Sequence, residues 1–474
     1  MQLSQRTCES KSAGRGAITR RQVLAGSLAG SLGLSLAPRR TRAADRPALP
    51  NIVFMLADDL GYADLSCYGR NFSTPRLDSL AREGVLLTQA YASSPVCSPT
   101  RVALITGREP GRLRVGLDEP LAFDHEEKIG LPTDIPTLPG QLRKLGYRTS
   151  LFGKWHLGKP PKFGPLKSGY DRFFGMYSGY SFYFGRGQDD PSPIIDGERI
   201  LTDHGYLTDL LAEKAIEELQ LSAREARPVF VSLHFTAVHW PWEGPGDAAR
   251  SAAIKNAQHR DGGSIETYRA MLGSLDDNVG RLLDALQALD LTRDTLVIFS
   301  SDNGGERFSD MWPLSGMKGE LLEGGIRVPV LARWPARIPA GRRSDQLCVT
   351  TDWLPTLLAA AGGAPDPAFP SDGQNLLPAL TGAQAARPRT LYWRYQGNDQ
   401  AAVRDGNWKY LKLGGREHLF DVAADPRERA ELREVHPKEF ERLKRLHATW
   451  SAQMQPYPPD ARSYDVKTGT ADRY

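Results

Sequence analysis

The chain predicts an α/β protein: a central sheet covered by helices on both faces, followed by a small antiparallel C-terminal subdomain. Three observations lead there. Between residue 51 and about residue 362, short apolar runs alternate with segments of helical periodicity, the pattern of strands buried between two helical layers. After about Gly362 the texture turns rich in Pro, Gly and Ala and then into short alternating strands, which reads as an antiparallel sheet. Two of the apolar runs end directly in acidic residues, and in open α/β sheets binding crevices form outside the carboxyl ends of strands.

Residues 1–44 stand apart from the rest. They carry Arg6, Lys11, Arg15, Arg20, Arg21, Arg39, Arg40 and Arg42 against Glu9 alone, which is +7 of a whole-chain charge of +4, so the remainder is −3. No nucleic-acid partner is expected, because the remainder offers no basic surface for one. Thr19-Arg20-Arg21-Gln22-Val23-Leu24 opens a Gly/Ala/Ser-rich apolar run to Ala37, and Arg42-Ala43-Ala44 supplies a small-residue cleavage site. The segment resembles a twin-arginine export signal, which implies the Tat translocon as a partner and a periplasmic or secreted bacterial product. An uncleaved membrane anchor ranks below it, since the run is short and rich in Gly and Ser. No stable membrane insertion is expected, because no later segment is apolar enough to cross a bilayer. Cleavage leaves Cys67, Cys97 and Cys348, so at most one internal disulfide can form, and pairing of Cys67 with Cys348 stays open.

Asn51 to Ala57, Val229 to Phe235, Thr295 to Ser301 and Val328 to Arg333 read as buried strands, and Pro75 to Glu83, Thr137 to Leu145, Leu207 to Leu221 and Ile265 to Leu289 as helices. The expected organisation is a catalytic domain over 48–365, a linker over 366–389 and a C-terminal subdomain over 390–474. That subdomain contains an Asp405-Gly406 turn and a helix near Pro437 to Met454, with a poorly ordered tail beyond Gln455.

The strand Asn51 to Ala57 runs into Asp58-Asp59, and Thr295 to Ser301 runs into Asp302-Asn303. Three carboxylates converging with an amide oxygen repel one another unless a cation compensates. A donor set without His or Cys favours a hard divalent ion, Ca²⁺ or Mg²⁺. Either pair alone would read as solvated turn residues. Ser98-Pro99-Thr100-Arg101 reads as a helix start, with Ser98 as cap and Pro99 in the first helical position. Cys97 then precedes a helix N-terminus, where unpaired N–H groups favour an anion, and Arg101 one turn on can offer its planar fork to the same oxyanion.

Cys97-Ser98-Pro99-Thr100-Arg101 resembles the C-x-P-x-R motif of the type I sulfatases, the group of arylsulfatases and N-acetylgalactosamine-6-sulfatases. Four further blocks carry the resemblance: Asp58-Asp59-Leu60-Gly61-Tyr62, Gly153-Lys154-Trp155-His156-Leu157-Gly158, His239 shortly before Pro241, and Asp302-Asn303-Gly304 with Lys318 beyond it. The resemblance implies an alkaline-phosphatase-like α/β/α sandwich with a large mixed sheet and a small C-terminal antiparallel sheet. It also implies hydrolysis of an aryl or carbohydrate sulfate ester. In that family the cysteine is converted to formylglycine, so Cys97 is a precursor and a formylglycine-generating or sulfatase-maturating enzyme is a partner. One hydroxyl of the hydrated aldehyde attacks sulfur and displaces the substrate alcohol; the other, once deprotonated, expels sulfate by C–O cleavage. A serine or thiolate would be left with a sulfate that water removes slowly.

By the same resemblance, Asp58, Asp59, Asp302 and Asn303 hold Ca²⁺ in preference to Mg²⁺, with the modified Cys97 as a further ligand. Asp302 takes the proton of the attacking hydroxyl, Arg101 and Lys154 steady the hydrate and the sulfate, and His156 deprotonates the second hydroxyl. His239 and Lys318 hold the sulfate, and one of them protonates the leaving oxygen. The aromatic run Tyr177 to Phe184 lines a substrate pocket or packs in the core, and Ser178 matches a sulfate-contacting serine of some arylsulfatases. Two alternatives stay open: a phosphate or phosphonate monoester hydrolase on the same scaffold, and a non-catalytic binder of sulfated glycans should Cys97 go unconverted.

Overall fold

Alternation along the strand Asn51–Ala57 decides the architecture. Ile52, Phe54 and Leu56 enter one apolar cluster, while Val53, Met55 and Ala57 enter a second, so both faces of the strand are buried. Side chains of consecutive strand residues point to opposite faces, and a strand apolar at every position therefore needs a cover on each side. The computed structural model describes residues 49–69, 71–187, 190–254 and 262–464; the expected export signal at 1–44 lies outside them.

The large sheet has ten strands. Five neighbours at its centre run parallel, in the order Thr295–Ser301, Asn51–Ala57, Val229–His234, Arg148–Lys154 and Arg172–Met176. Val330–Arg333 joins antiparallel to Thr295–Ser301, so the sheet is mixed. One cluster is completed by residues of the helices Cys97–Thr106, Leu138–Lys144 and Trp353–Ala360. The other takes residues from Pro75–Glu83, Leu207–Glu225 and Ile265–Ala288. This is the expected α/β/α sandwich, with the four expected strands and four expected helices matched to within a few residues. The 366–389 stretch contains a short helix, Leu377–Thr381.

Four strands, Thr390–Tyr395, Gln400–Asp405, Trp408–Leu413 and Arg416–Asp421, form the C-terminal antiparallel sheet. Asp405 pairs with Trp408, so the tight turn is Gly406-Asn407, with Gly406 at φ +59°. One face packs Trp393, Tyr395, Ala402 and Leu411 against Tyr91, Val96 and Leu321 of the larger domain. The other packs Val403, Tyr410 and Leu419 against Leu443 of the helix Pro437–Ser451. Cys67, Cys97 and Cys348 are all free thiols, so Cys67 and Cys348 do not pair.

The tail departs from expectation. Residues beyond Gln455 are tied down as far as Tyr464: Tyr457 donates to Glu119 Oε1 at 2.7 Å, the Tyr464 N–H donates to Glu119 O at 2.7 Å, and Arg462 bridges Asp124. Its polar composition hid this, because the partners lie more than 300 residues away in sequence. Among the described residues no helix is long and apolar enough to cross a membrane.

Candidate active site

The carboxyl ends of neighbouring parallel strands supply most of the polar cluster. Asp58 and Asp59 follow Asn51–Ala57, Asp302 and Asn303 follow Thr295–Ser301, and Lys154 ends Arg148–Lys154. Asp58, Asp302, Asn303, Arg101 and Lys154 are completely buried, and Asp59, Cys97, His156, His239 and Lys318 are 5% exposed or less. Such a concentration of charge persists only where partners meet it.

The helix that presents Cys97 begins earlier than expected. It runs from Cys97 to Thr106 with Val96 in the N-cap position, so Ser98 is not the cap. Ser98 Oγ instead accepts the Leu121 N–H at 2.7 Å, and Pro99 fits because the first turn's N–H groups have no helical partner anyway. Cys97 thus heads the helix, and Arg101 lies one turn further along the same face.

Arg101 closes the cluster from that side. Its Nη2 and Nε donate to Asp302 Oδ2 at 2.8 and 3.2 Å, Nη2 lies 3.6 Å from Asp58 Oδ2, and Nη1 donates to Lys154 O at 2.9 Å. Lys154 Nζ reaches Asp58 Oδ2 at 2.5 Å and Lys318 Nζ reaches Asp59 Oδ2 at 2.6 Å. The carboxylates therefore face three side-chain cations, and mutual repulsion alone does not call for a metal. Two orphaned oxygens do: Asp58 Oδ1 and Asn303 Oδ1 are buried without a hydrogen-bond partner, whereas the Asn303 amide donates to Asp59 Oδ1 at 2.8 Å. Ligand atoms of Asp58, Asp59, Cys97 and His239 all lie within 4.8 Å of one another. Two carboxylates, a thiol and an imidazole make up this set, not the His- and Cys-free one expected, yet a hard divalent cation would satisfy the two orphaned oxygens. Burial first, then Asp302, push the Asp58 carboxyl up to about 7, the response of an acid that lacks enough positive charge. Burial acts the same way on Asp59, but Lys318, His239 and Lys154 outweigh it and hold that carboxyl below the usual range.

The two histidines are neutral and oriented. His156 Nε2 lies 3.0 Å from Leu121 O, so Nε2 carries the proton and Nδ1, buried without a partner, is a free base. Burial and then Lys154 lower its pKa well below the ordinary value. His239 Nδ1 donates to Trp240 O at 2.5 Å, leaving Nε2 3.6 Å from Asp59 Oδ2. Asp59 and His156 both have left-handed backbones, φ +59° and +58°, a strained state that packed surroundings must hold in place. Gly179 lets the chain pass His156 closely: a Cβ there would stand 2.5 Å from the imidazole Cε1.

The structure brings together every residue expected at the site. It adds Glu306, whose Oε2 lies 3.7 Å from Lys318 Nζ, and Tyr464, which donates to Glu306 Oε1 at 3.1 Å and places its ring 5.9 Å from that ammonium. Neither carried a motif signal. Of the aromatic run, Phe182 and Tyr183 are core residues, while Tyr177 and Ser178 line a cleft of about 590 Å³ with Phe123 and Phe163. Ser178 donates to Glu126 Oε2 at 2.6 Å.

A sequence model described as Sulfatase matches residues 50–364, about two thirds of the chain. The chain belongs to the sulfatase family. It is a sulfuric ester hydrolase on the alkaline-phosphatase-like fold, with its ten-stranded mixed sheet and small antiparallel C-terminal sheet. A second model, N-sulphoglucosamine sulphohydrolase, C-terminal, matches residues 318–454 of this sulfatase. The N-acetylgalactosamine-6-sulfatase of Canis lupus familiaris is 34% identical over 390 residues, 77% of this chain and 72% of that protein. Arylsulfatase A of Homo sapiens is 36% identical over 414 residues, 80% of this chain and 77% of the relative. Among solved structures, Ps i-CgsB in complex with k-i-k-neocarrahexaose superposes with a TM-score of 0.79 at 30% identity, covering 88% of this chain and 95% of that one.

Proposed function

We propose that this sulfatase cleaves an aryl or carbohydrate sulfate ester with a formylglycine made from Cys97, aided by Ca²⁺ held by Asp58, Asp59, Asp302 and Asn303. The observation that carries the reading is the pair of orphaned buried oxygens, Asp58 Oδ1, in one cluster with Cys97, and Asn303 Oδ1, whose amide is bonded to Asp59 of that cluster. Burial pushes the Cys97 thiol up to about 12, which suits a precursor and not a thiolate nucleophile. The hydrated aldehyde supplies one hydroxyl to attack sulfur and a second whose deprotonation releases sulfate. A divalent cation held by those residues would offset charge on the ester.

The chain's own groups do the rest. Asp302 takes the proton of the attacking hydroxyl, with Arg101 holding its Oδ2 and the Asp59 N–H meeting its Oδ1 at 3.3 Å. Arg101 and Lys154 face the anionic centre from the Cys97 side, and Lys318 and His239 face it across Asp59. Lys318 supplies the proton to the leaving oxygen, because the single proton of neutral His239 sits on Nδ1 and is held by Trp240 O. His156 Nδ1, unprotonated and without a partner, accepts the proton that triggers sulfate release. The cleft beside Tyr177 and Ser178 receives the alcohol part of the ester; His156 N–H donates to Tyr177 O at 2.9 Å, which joins the cleft wall to the site.

The organisation that fits this reading is an export signal over 1–44, a catalytic domain over 48–365, a linker over 366–389 and a C-terminal subdomain over 390–474. The protein is then exported folded through the Tat translocon to the periplasm or beyond, after a maturation enzyme has acted on Cys97. Enzyme made together with such a maturation enzyme is expected to release sulfate from a chromogenic aryl sulfate. Chelation should abolish that activity, and Ca²⁺ should restore it better than Mg²⁺. Phosphonate monoesters turning over faster than every sulfate ester offered would move the assignment to the phosphonate hydrolases.

A further inference from the structure

Lys318 lies in a turn, with no helix or strand to fix it. Three outside groups hold its backbone instead. The Lys318 N–H donates to Gly305 O at 2.9 Å, beyond Asp302-Asn303, and the Gly319 N–H donates to Pro95 O at 2.9 Å, just before Cys97. The third contact comes from the C-terminal sheet. Gln400, the first residue of the strand Gln400–Asp405, donates from Nε2 to Gly319 O at 2.8 Å and accepts the Leu321 N–H on Oε1 at 2.7 Å. Its other amide proton goes to Gly397 O at 2.9 Å, and the side chain is buried.

We propose that Gln400 is the positioning residue for Lys318, so that the C-terminal sheet enters the catalytic centre through one side-chain amide. The inference rests on the role given to Lys318 above. A primary amide donates and accepts from one end without charge, and here it pairs with the turn much as a neighbouring strand would. Asn has the same groups on a stem one carbon shorter. A glutamate at 400 could still accept from Leu321 but would set an oxygen against Gly319 O. Gly319 needs the support, since its φ of +84° is open only to a residue whose backbone is free to move. A second grip lies further along the same segment: Lys409 Nζ meets Glu323 Oε1 at 3.0 Å, and the Glu323 N–H donates to Glu428 Oε2 at 2.6 Å. The turn is thus clamped by the sheet on its C-terminal side and by the Cys97 and Asp302 segments on the other. The family's C-terminal model spans the same unit, from Lys318 to residue 454.

A double-mutant cycle tests this. The mature enzyme, Gln400→Ala, Lys318→Ala, the double variant and Gln400→Glu are compared for kcat/KM on a chromogenic aryl sulfate and for thermal midpoint. Displacing a catalytic group by about 1 Å can cost about 100-fold in rate, so Gln400→Ala is expected to lower kcat/KM by about 10- to 100-fold. In the Lys318→Ala background the same change should cost less than about 3-fold, because a group that acts through Lys318 has nothing left to position. Gln400→Glu, which preserves length and one hydrogen bond, should also lose at least about 10-fold, and it carries the test should Gln400→Ala fail to fold. Equal losses in both backgrounds would overturn the proposal, since Gln400 would then act on the fold as a whole. Wild-type activity in Gln400→Ala or Gln400→Glu would overturn it too. Wild-type activity in Lys318→Ala would instead remove the role of Lys318, and the inference with it.

Discussion

Asp302→Ala is expected to destabilise the protein by about 3–5 kcal/mol as well as to inactivate it. Arg101 and Asp302 are both fully buried, and two guanidinium nitrogens converge on Asp302 Oδ2 at 2.8 and 3.2 Å. Removing the carboxylate leaves a cation in the core with Asp58 Oδ2, 3.6 Å away, as its nearest remaining carboxylate oxygen, beside the carbonyl of Lys154 and His234 Nδ1. Asp302 Oδ1 also accepts the Asp59 N–H at 3.3 Å, so the strained Asp59 backbone loses an anchor. Asp302→Asn retains shape and should cost less stability, while activity should fall by about 10³-fold or more in both variants, because the proposed base and cation ligand would be lost together. Urea unfolding beside sulfate-release kinetics separates the two effects. Full activity in either variant would remove Asp302 from the mechanism.

Cys97→Ala is the second large effect, and it falls on catalysis alone. The side chain is small and buried at the head of its helix, so the fold should lose about 1 kcal/mol or less. The fall in kcat should be on the order of 10⁴- to 10⁶-fold, as expected when a nucleophile is removed. Cys97→Ser sharpens the test. A serine can attack sulfur but has no second hydroxyl on the same carbon to expel the product, so that variant should retain one sulfate per chain after a single slow turnover. Sustained turnover by Cys97→Ser would mean that a simple hydroxyl suffices.

Legibility in the sequence followed the physical range of each interaction. Strands buried on both faces announce themselves by unbroken apolar runs, which is why Asn51–Ala57 and Thr295–Ser301 were found residue for residue. The acid pairs that end them were readable because a strand terminus places its next residues at one edge of the sheet. The start of the Cys97 helix differs from the expected one by two residues, since Ser98 has the chemistry of a cap but is drawn to the backbone at Leu121. Glu306, Gln400 and Tyr464 left no trace: each reaches the Lys318 turn through tertiary contacts that no local pattern encodes. The balance of charge was also hidden. Three carboxylates suggested repulsion, yet Arg101, Lys154 and Lys318 each close on one of them, and only the orphaned oxygens of Asp58 and Asn303 keep the argument for a cation.

The measurement that bears most directly on this account is mass spectrometry of the Cys97 peptide from active enzyme. The peptide is expected to carry an aldehyde that captures a hydrazide and resists thiol alkylation. A peptide wholly alkylated at Cys97, from a preparation that hydrolyses sulfate esters at its full rate, would contradict the account.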